Sequence, residues 1–486
     1  MQKPLQAIIA GSHYEPDGEG DGDKLLINYY LDENPQDASR PKRLATTPGS
    51  RLVGEDGDFT GGSLRGLFQA DTLFGGDLVV ADGTTLRRYD PDGDSYTAMT
   101  GTVTGADPVM AAINDAEAMF NSGGKLFHTS DGSTLTEASA SGGIANQLAA
   151  EGVTEIKSVD QIDFRMFFVY GNKIGYSPVG NFTGVTDNAF YAPTAAPDGL
   201  VRGFIHGGIL HACGTKTMEL WYQSGVGTDP LNRATRIVPR GLAGRNCIAS
   251  VAGELCFIGD DLDVYVLQGT RPVSILGSEA WVTRFLEGAD MSTVVCSEQE
   301  IEGHAMFIIN APIGTIAYSF KTRRWHKRIT NGLAFYEYAY FAKRGNLLYG
   351  ASRNAEKLAH ISREYYSDDQ AAPLTFGTVI NRTFTAHVPM RRGIDELGTI
   401  RLEGTKGIGQ PAGQGNDPMV SMEISRNGGN TYGAGRSRAV GGQGEYGTRT
   451  KWETNGSIEP EQTVLKFTIG DFVQFIPKQV LCGEEV

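Results

Sequence analysis

Cysteine is scarce in this sequence and follows no framework. The five present among 486 residues, Cys213, Cys247, Cys256, Cys296 and Cys482, are odd in number and include no C-x-x-C pair. That argues against a disulfide scaffold and a zinc knuckle, and predicts buried free thiols. No run approaches the roughly 18 apolar residues of a membrane-spanning helix, and the apolar stretch within residues 1–16 is too short for a secretory signal core. No membrane segment is expected, and folding in the cytosol is. Of eight histidines none pairs at metal-ligand spacing; His206 and His211 flank Gly207-Gly208, which sets them about a turn rather than on one helix face. No G-x-x-x-x-G-K-[ST] occurs, and 404–409 lacks the lysine and helix start that cradle phosphate. These absences leave no catalytic, metal-binding or cofactor-binding residue to nominate, and the chain reads as a non-enzyme. Positive charge is in deficit too: 43 Lys and Arg against 57 Asp and Glu give a formal net charge of −14. This opposes tight sequence-independent duplex binding, which relies on basic side chains neutralising phosphates. It suits a protein that surrounds DNA, because an acidic wall repels phosphate and lets a duplex slide.

What the sequence has in plenty is glycine, 64 residues against 20 prolines, with 40% hydrophobic and 21% charged residues. That is the texture of an ordered, turn-rich β protein. From about residue 73 to 367 one unit recurs: an apolar run, a Gly/Asp/Asn turn, then a strand with a large apolar residue. Its onsets lie near Leu78, Leu126, Met166, Ile209, Leu255, Ala305 and Leu347, a period of about 40–50 residues that matches propeller blades. Asp82-Gly83, Asp131-Gly132 and Gly171-Asn172 are hairpin turns. Residues 111–120 and 144–151 are candidate short helices. Asp368-Asp369-Gln370-Ala371-Ala372-Pro373 reads as a linker, followed by strands at 374–387, 397–404 and 419–424 and a long Gly/Gln loop at 404–418. The expected fold is all-β: a β-propeller over 55–367, a smaller β-sandwich-like domain formed mainly by 368–486, and an N-terminal segment, 1–54, with one convincing strand at 24–30, that packs on the C-terminal domain or a neighbouring subunit.

Several motifs invite chemistry and have plainer readings. Asp17, Glu19, Asp21 and Gly22 open like an EF-hand, but Asn28 stands where a bidentate Glu is required, so a solvated acidic loop is expected. Asp90, Asp92 and Asp94 fail in the same way and read as a hairpin turn. The dense basic run is Lys321, Arg323, Arg324, Trp325, Lys327 and Arg328, an aromatic among cations as in nucleic-acid contacts. It is a candidate DNA or partner contact, set against a charged edge strand that prevents sheet-to-sheet aggregation. Arg391-Arg392 and the pair Arg436 and Arg438 are shorter and less specific.

The stretch 422–475 has strand-turn-strand grammar and no reaction centre. Ser425 to Tyr432 reads S-x-N-G-G-x-T-Y, Gly441 to Trp452 reads G-x-x-G-x-Y-x-x-R-x-x-W, and Phe467 to Phe475 reads F-x-I-x-D-x-V-x-F. Near the other end stand Asn28-Tyr29-Tyr30 and Thr47-Pro48-Gly49, and between them Gly303-His304-Ala305-Met306-Phe307 runs on to Tyr318 and Trp325. In this order and over nearly the whole chain, these motifs resemble the packaged-DNA stabilisation proteins, the tail hub or nozzle, of short-tailed double-stranded DNA bacteriophages. The acidic 17–23 insert departs from that pattern.

The resemblance implies a structural virion protein of the tail, folded and assembled in the host cytoplasm. It implies a homo-oligomeric ring, a hexamer, docked below the portal and its adaptor. Such a ring closes the channel to retain packaged DNA, supports tailspikes or fibres and a tail needle, and later passes double-stranded DNA without sequence specificity. Ring closure follows from head-to-tail interfaces. The alternative is a glycan-binding or glycan-hydrolysing propeller of sialidase-like type, because Ser425 to Tyr432 approximates an Asp-box. Here Asn replaces Asp, Tyr replaces Trp, and the motif lies outside the blade repeats. A monomeric protein-interaction propeller of the host would leave the T-P-G and G-E-Y signatures unexplained.

Overall fold

The computed structural model describes residues 5–9, 25–33, 42–54, 59–70, 72–193, 195–227, 229–277, 279–372, 375–388, 397–456 and 463–484. The acidic loop of Asp17, Glu19 and Asp21 and the pair Arg391-Arg392 lie outside them. Among the described residues seven four-stranded antiparallel blades surround one axis. Blade 1 is built from Leu64–Gln69, Leu78–Asp82, Thr85–Asp90 and Ser95–Ala98, and blade 2 starts with Met110–Ile113 and Ala118–Ser122. Blades 3, 4 and 5 have Ile156–Ile162, Leu200–His206 and Ile248–Val251 as their first strands, and blades 6 and 7 have Val295–Ile301 and Tyr338–Arg344. Second strands lie mid-blade with both faces covered by neighbouring blades. Leu78–Asp82, Arg165–Tyr170 and His304–Ala311 are therefore buried almost throughout and read as continuous apolar runs rather than alternating ones. The apolar onsets in the sequence mark these strands in six of the seven blades; Leu126 falls in the third strand of blade 2, Lys125–Thr129.

Side chains staple neighbouring blades together. Ser158 Oγ and Asp160 Oδ2 on blade 3 accept the N–H groups of Gly203 and Ile205 on blade 4, both at 2.9 Å. Glu298 Oε1 on blade 6 accepts the Ala252 N–H at 2.8 Å, from the turn after the first strand of blade 5. Arg344 Nη2 reaches Asp92 Oδ2 at 2.7 Å and joins blade 7 to blade 1.

Blades 1 to 5 are each made from contiguous chain. The outer strand of blade 7 is Gly49–Leu52, with Ser50 opposite Ile361. Gly49, the glycine of Thr47-Pro48-Gly49, has no alternative: a Cβ there would lie 2.3 Å from Ser367 O and 2.7 Å from Tyr365 O. Blade 6 is spliced differently. Its outer strand, Arg324–Lys327, pairs in parallel with Leu26–Ile27, which pairs in turn with Arg382–His387, so the blade runs on into a second sheet system.

That second body is a two-sheet sandwich. One sheet orders Arg436–Ala439, Met419–Ser425, Val464–Ile469 and Arg382–His387; the other orders Thr450–Trp452, Thr399–Gly404 and Pro477–Glu484. Leu5–Ile9 bridges the two, pairing Leu5 with Cys482 and Ile9 with Ala386. The buried core between the sheets contains Phe384, Val420, Met422, Trp452 and Phe467, with Phe384 and Phe467 stacked at 5.1 Å. Alternate side chains of each strand supply it.

The structure corrects three local expectations. Residues 24–30 do not form one strand: Asn28 has φ 56° and separates Leu26–Ile27 from Tyr29–Glu33, with asparagine tolerating the left-handed turn. Residues 111–120 are not helical; Met110–Ile113 and Ala118–Ser122 are paired strands. The alternating motif Phe467 to Phe475 reads as one terminal strand, but the strand ends at Ile469, and Phe472, Val473 and Phe475 beyond it are buried without pairing as a strand. Residues 144–151 do lie in a helix, Gly142–Glu151. A second helix, Ala280–Gly288, was not anticipated; Val282 and Leu286, four apart, bury its inner face.

Candidate functional site

The propeller axis differs at its two ends. At the end where the first strands begin, Arg65, Arg202, Arg245 and Arg353 converge, and burial lowers the pKa of all four guanidinium groups. Arg65 Nε donates to Gly83 O at 2.8 Å, and Arg353 Nη1 donates to Asn310 Oδ1 at 2.9 Å. Arg245, on the connection into blade 5, donates through Nη2 to Asn121 Oδ1 of blade 2 at 2.9 Å. Blades 2 and 5 stand on opposite sides of a seven-blade ring, so this contact crosses the axis and closes it.

At the other end the axis opens into a cavity of about 430 Å³ whose wall includes Phe68, Asp160, Gln161, Glu298, Phe341 and Lys343, drawn from blades 1, 3, 6 and 7. Burial pushes the Asp160 carboxyl up to about 6, while N–H donors from Ile205 and Gln161 and the nearby Arg202 pull it down. Composition and motif reading did not find these axis residues, because each is a single residue within its own blade. A signal was present in the repeat period: the stapled pairs Ser158/Gly203, Asp160/Ile205 and Ala252/Glu298 are 45, 45 and 46 residues apart.

The basic run is not one surface. Trp325 is buried and donates its indole N–H to Ile275 O at 3.1 Å. Arg328 is 2% exposed; it donates to Pro48 O at 2.8 Å and lies 3.8 Å over the Tyr336 ring. Arg324 faces Glu279 at 3.8 Å, and Lys327 lies over Trp281 at 5.1 Å. Lys321 and Arg323 are exposed, although Lys321 also meets Asp32 Oδ1 at 3.2 Å.

Arg328 belongs instead to a buried ionic junction between propeller and sandwich. Lys357 pairs with Asp369 and, at 3.3 Å, with Glu337, and the Tyr338 hydroxyl donates to Asp369 Oδ1 at 2.6 Å. Arg382 of the sandwich is fully buried and donates to Val473 O at 3.0 Å. Burial and neighbouring carboxylates push Asp368 up to about 7, against the pull of Arg328 and Arg382, and raise Glu337 as well. Asn28 anchors the same seam: its side chain donates to Ile329 O and Asn381 O at 2.9 and 2.8 Å and accepts the Ile329 N–H at 3.0 Å.

The Asp-box-like turn is self-contained. Asn427 Oδ1 accepts the Thr431 N–H at 2.9 Å, and Ser425 Oγ accepts the Gly429 N–H at 2.9 Å, a hairpin brace on the sandwich away from the axis. All five cysteines are free and buried. Among the described residues no His, Cys, Asp or Glu group is arranged to hold a metal ion, and no helix is long and apolar enough to cross a membrane.

Fold and site together define a structural β-propeller protein whose titratable groups are used in holding blades and domains to one another. The family model described as bacteriophage P22 Gp10, β-propeller, matches residues 62–342, more than half of the chain, and the chain belongs to that family. It is a phage structural protein concerned with DNA stabilisation. No curated protein matches it. Among solved structures, a computationally designed protein, Ika8, aligns with 65% of this chain and 99% of its own at 10% identity and a TM-score of 0.35. PorZ, a surface component of the type-IX secretion system of Porphyromonas gingivalis, aligns with 80% of this chain and 46% of its own at 10% identity and a TM-score of 0.38.

Proposed function

We propose that this protein is the hub or nozzle of a phage tail. In this reading its copies form a ring, a hexamer, beneath the portal and its adaptor. The ring retains packaged DNA, carries tailspikes or fibres and a tail needle, and passes the duplex without sequence specificity at ejection. The protein folds in the host cytoplasm and ends in the virion tail. The observation that carries the reading, beyond family membership, is the axis closed by Arg245 and Asn121. A duplex has no route through one chain, so a DNA conduit requires an opening between chains, and head-to-tail contacts that close by rotation supply one. The net charge of −14 suits a wall along which phosphates slide.

We further propose a division into an N-terminal segment 1–54, a propeller 55–367 and a C-terminal domain 368–486. Of the basic run, Lys321 and Arg323 are the residues offered for contact with DNA or a tail partner, with Arg324, Trp325, Lys327 and Arg328 holding the strand that presents them. Negative-stain electron microscopy of the purified protein, with and without its adaptor, tests the main reading. A closed ring with a central hole is expected. A monomer indifferent to every tail component overturns it.

A further inference from the structure

The open mouth of the propeller axis has chemistry that blade stapling does not use up. Asp160 on blade 3 and Glu298 on blade 6 face one cavity of about 430 Å³ from opposite sides of the ring. Each accepts main-chain N–H groups, but neither forms an ion pair among the described residues. Lys343, the cation in the same wall, is paired with Glu300. Phe68 and Phe341, both half-buried, complete the lining. Carboxylates beside aromatic faces in a partly desolvated cavity attract organic cations, through charge-assisted hydrogen bonds and the negative face of the ring. The arginines at the far end close the axis, so a ligand enters and leaves by this mouth.

We infer that the mouth of the propeller axis is a binding site for organic ammonium ions, with Asp160 and Glu298 as its two anionic contacts. Opposed carboxylates favour a linear diamine or polyamine over a single charged tip. The site does not rest on the tail reading, and it stands or falls separately from ring assembly.

Isothermal titration calorimetry on the purified full-length chain tests it, with spermidine and 1,4-diaminobutane as probes and Nα-acetyl-lysine amide as the single-ammonium comparison. Saturable one-to-one binding is expected for the diamines. Glu298→Gln keeps its one acceptor for the Ala252 N–H, whereas Asp160→Asn keeps an oxygen for the Ile205 N–H across the blades and gives up the bond from its neighbour Gln161; the propeller stays stapled in both, and each weakens binding by about tenfold or more. A preference for diamines assigns a free polyamine as the ligand. Equal affinity for the lysine amide assigns a lysine tip presented by a partner protein. Binding also strengthens as pH rises through about 6, where Asp160 ionises. The other charged groups that face it are Arg202 from blade 4, Glu298 and Glu300 from blade 6 and Lys343 from blade 7. Absence of saturable heat with the unsubstituted protein overturns the inference, as does equal affinity in both variants, which would reduce it to diffuse attraction to an acidic surface.

Discussion

Blades 1 to 5 and blades 6 and 7 solve the same packing problem with different stretches of chain. Each of the first five is folded from one continuous segment, and local turns set its register. Asp131 in blade 2 is typical, its Oδ1 accepting the Ser133 and Thr134 N–H groups at 2.8 and 2.9 Å. Blade 7 takes its outer strand from residues 49–52 and blade 6 is extended by residues 26–27, and a cluster of buried charges, Arg328, Glu337, Asp368 and Arg382, lies along their seams. Polar and ionic groups specify which strand goes where, because a misplaced strand leaves buried charges unpaired. The local blades bury charges too, as in the Arg87–Asp82 pair of blade 1, but there the partners are close in sequence; in the spliced blades they are hundreds of residues apart.

The comparison can be broken in several ways. Removing residues 1–54 takes away the outer strand of blade 7 and the parallel partner of blade 6, and is expected to abolish cooperative folding, read as loss of a sharp thermal transition and of a monodisperse species on size exclusion. A soluble, cooperatively melting product would show that the spliced strands are ornaments. Arg382→Ala removes a fully buried cation and its bond to Val473 O and leaves Asp368 with Arg328 alone, and is expected to cost about 3–5 kcal/mol in denaturant unfolding. Asn28→Ala removes three seam hydrogen bonds and a residue suited to positive φ, for about 2–3 kcal/mol, whereas Asp131→Ala in a local turn costs about 1 kcal/mol. If the two alanines cost the same, the seam has no special weight.

Next in size is a pH effect. Asp368 and Glu337 have folded pKa values above their unfolded ones, so each takes up a proton on folding between about 4 and about 7. Their contribution to stability therefore falls as pH rises through that window, by at most about 1.4 kcal/mol per pH unit per proton, and levels off above it. Buried His326 and His211, lowered to about 3 and about 4, act in the opposite direction below about 6.5. The difference between the profiles of the unsubstituted protein and Asp368→Asn isolates the acid, and parallel profiles would remove it. Smallest of all, Arg323→Gln is expected to change stability by about 0.5 kcal/mol or less, so any loss of tail assembly in that variant reports on contact rather than folding; Lys321 is kept, because it pairs with the buried Asp32.

The sequence made the local half of this architecture readable. The apolar runs at Leu78, Met166 and Ala305 fall on strands buried on both faces, and the glycine and aspartate turns beside them bend where they should. The splices were harder to see, since nothing near Ser50 announces Ile361 as its partner. Their traces were Asn28 and Gly49, whose positive φ and lack of room for a Cβ explain why Asn-Tyr-Tyr and Thr-Pro-Gly stood out. The basic run misleads for a related reason. Charge density suggests a surface, but pairing with Leu26–Ile27 makes its strand interior and takes Arg328 and Trp325 out of solvent.

The strand Gly49–Leu52 has a consequence in time. On the ribosome it emerges before its partner, Leu358–Ser362, by roughly 300 residues of synthesis, on the order of 15–60 seconds at bacterial rates. Throughout that interval the nascent ring is an open arc with an unpaired strand edge at each end. Edges of this kind recruit other chains. Closure of the ring by Gly49–Leu52 is thus also the step that removes both edges at once.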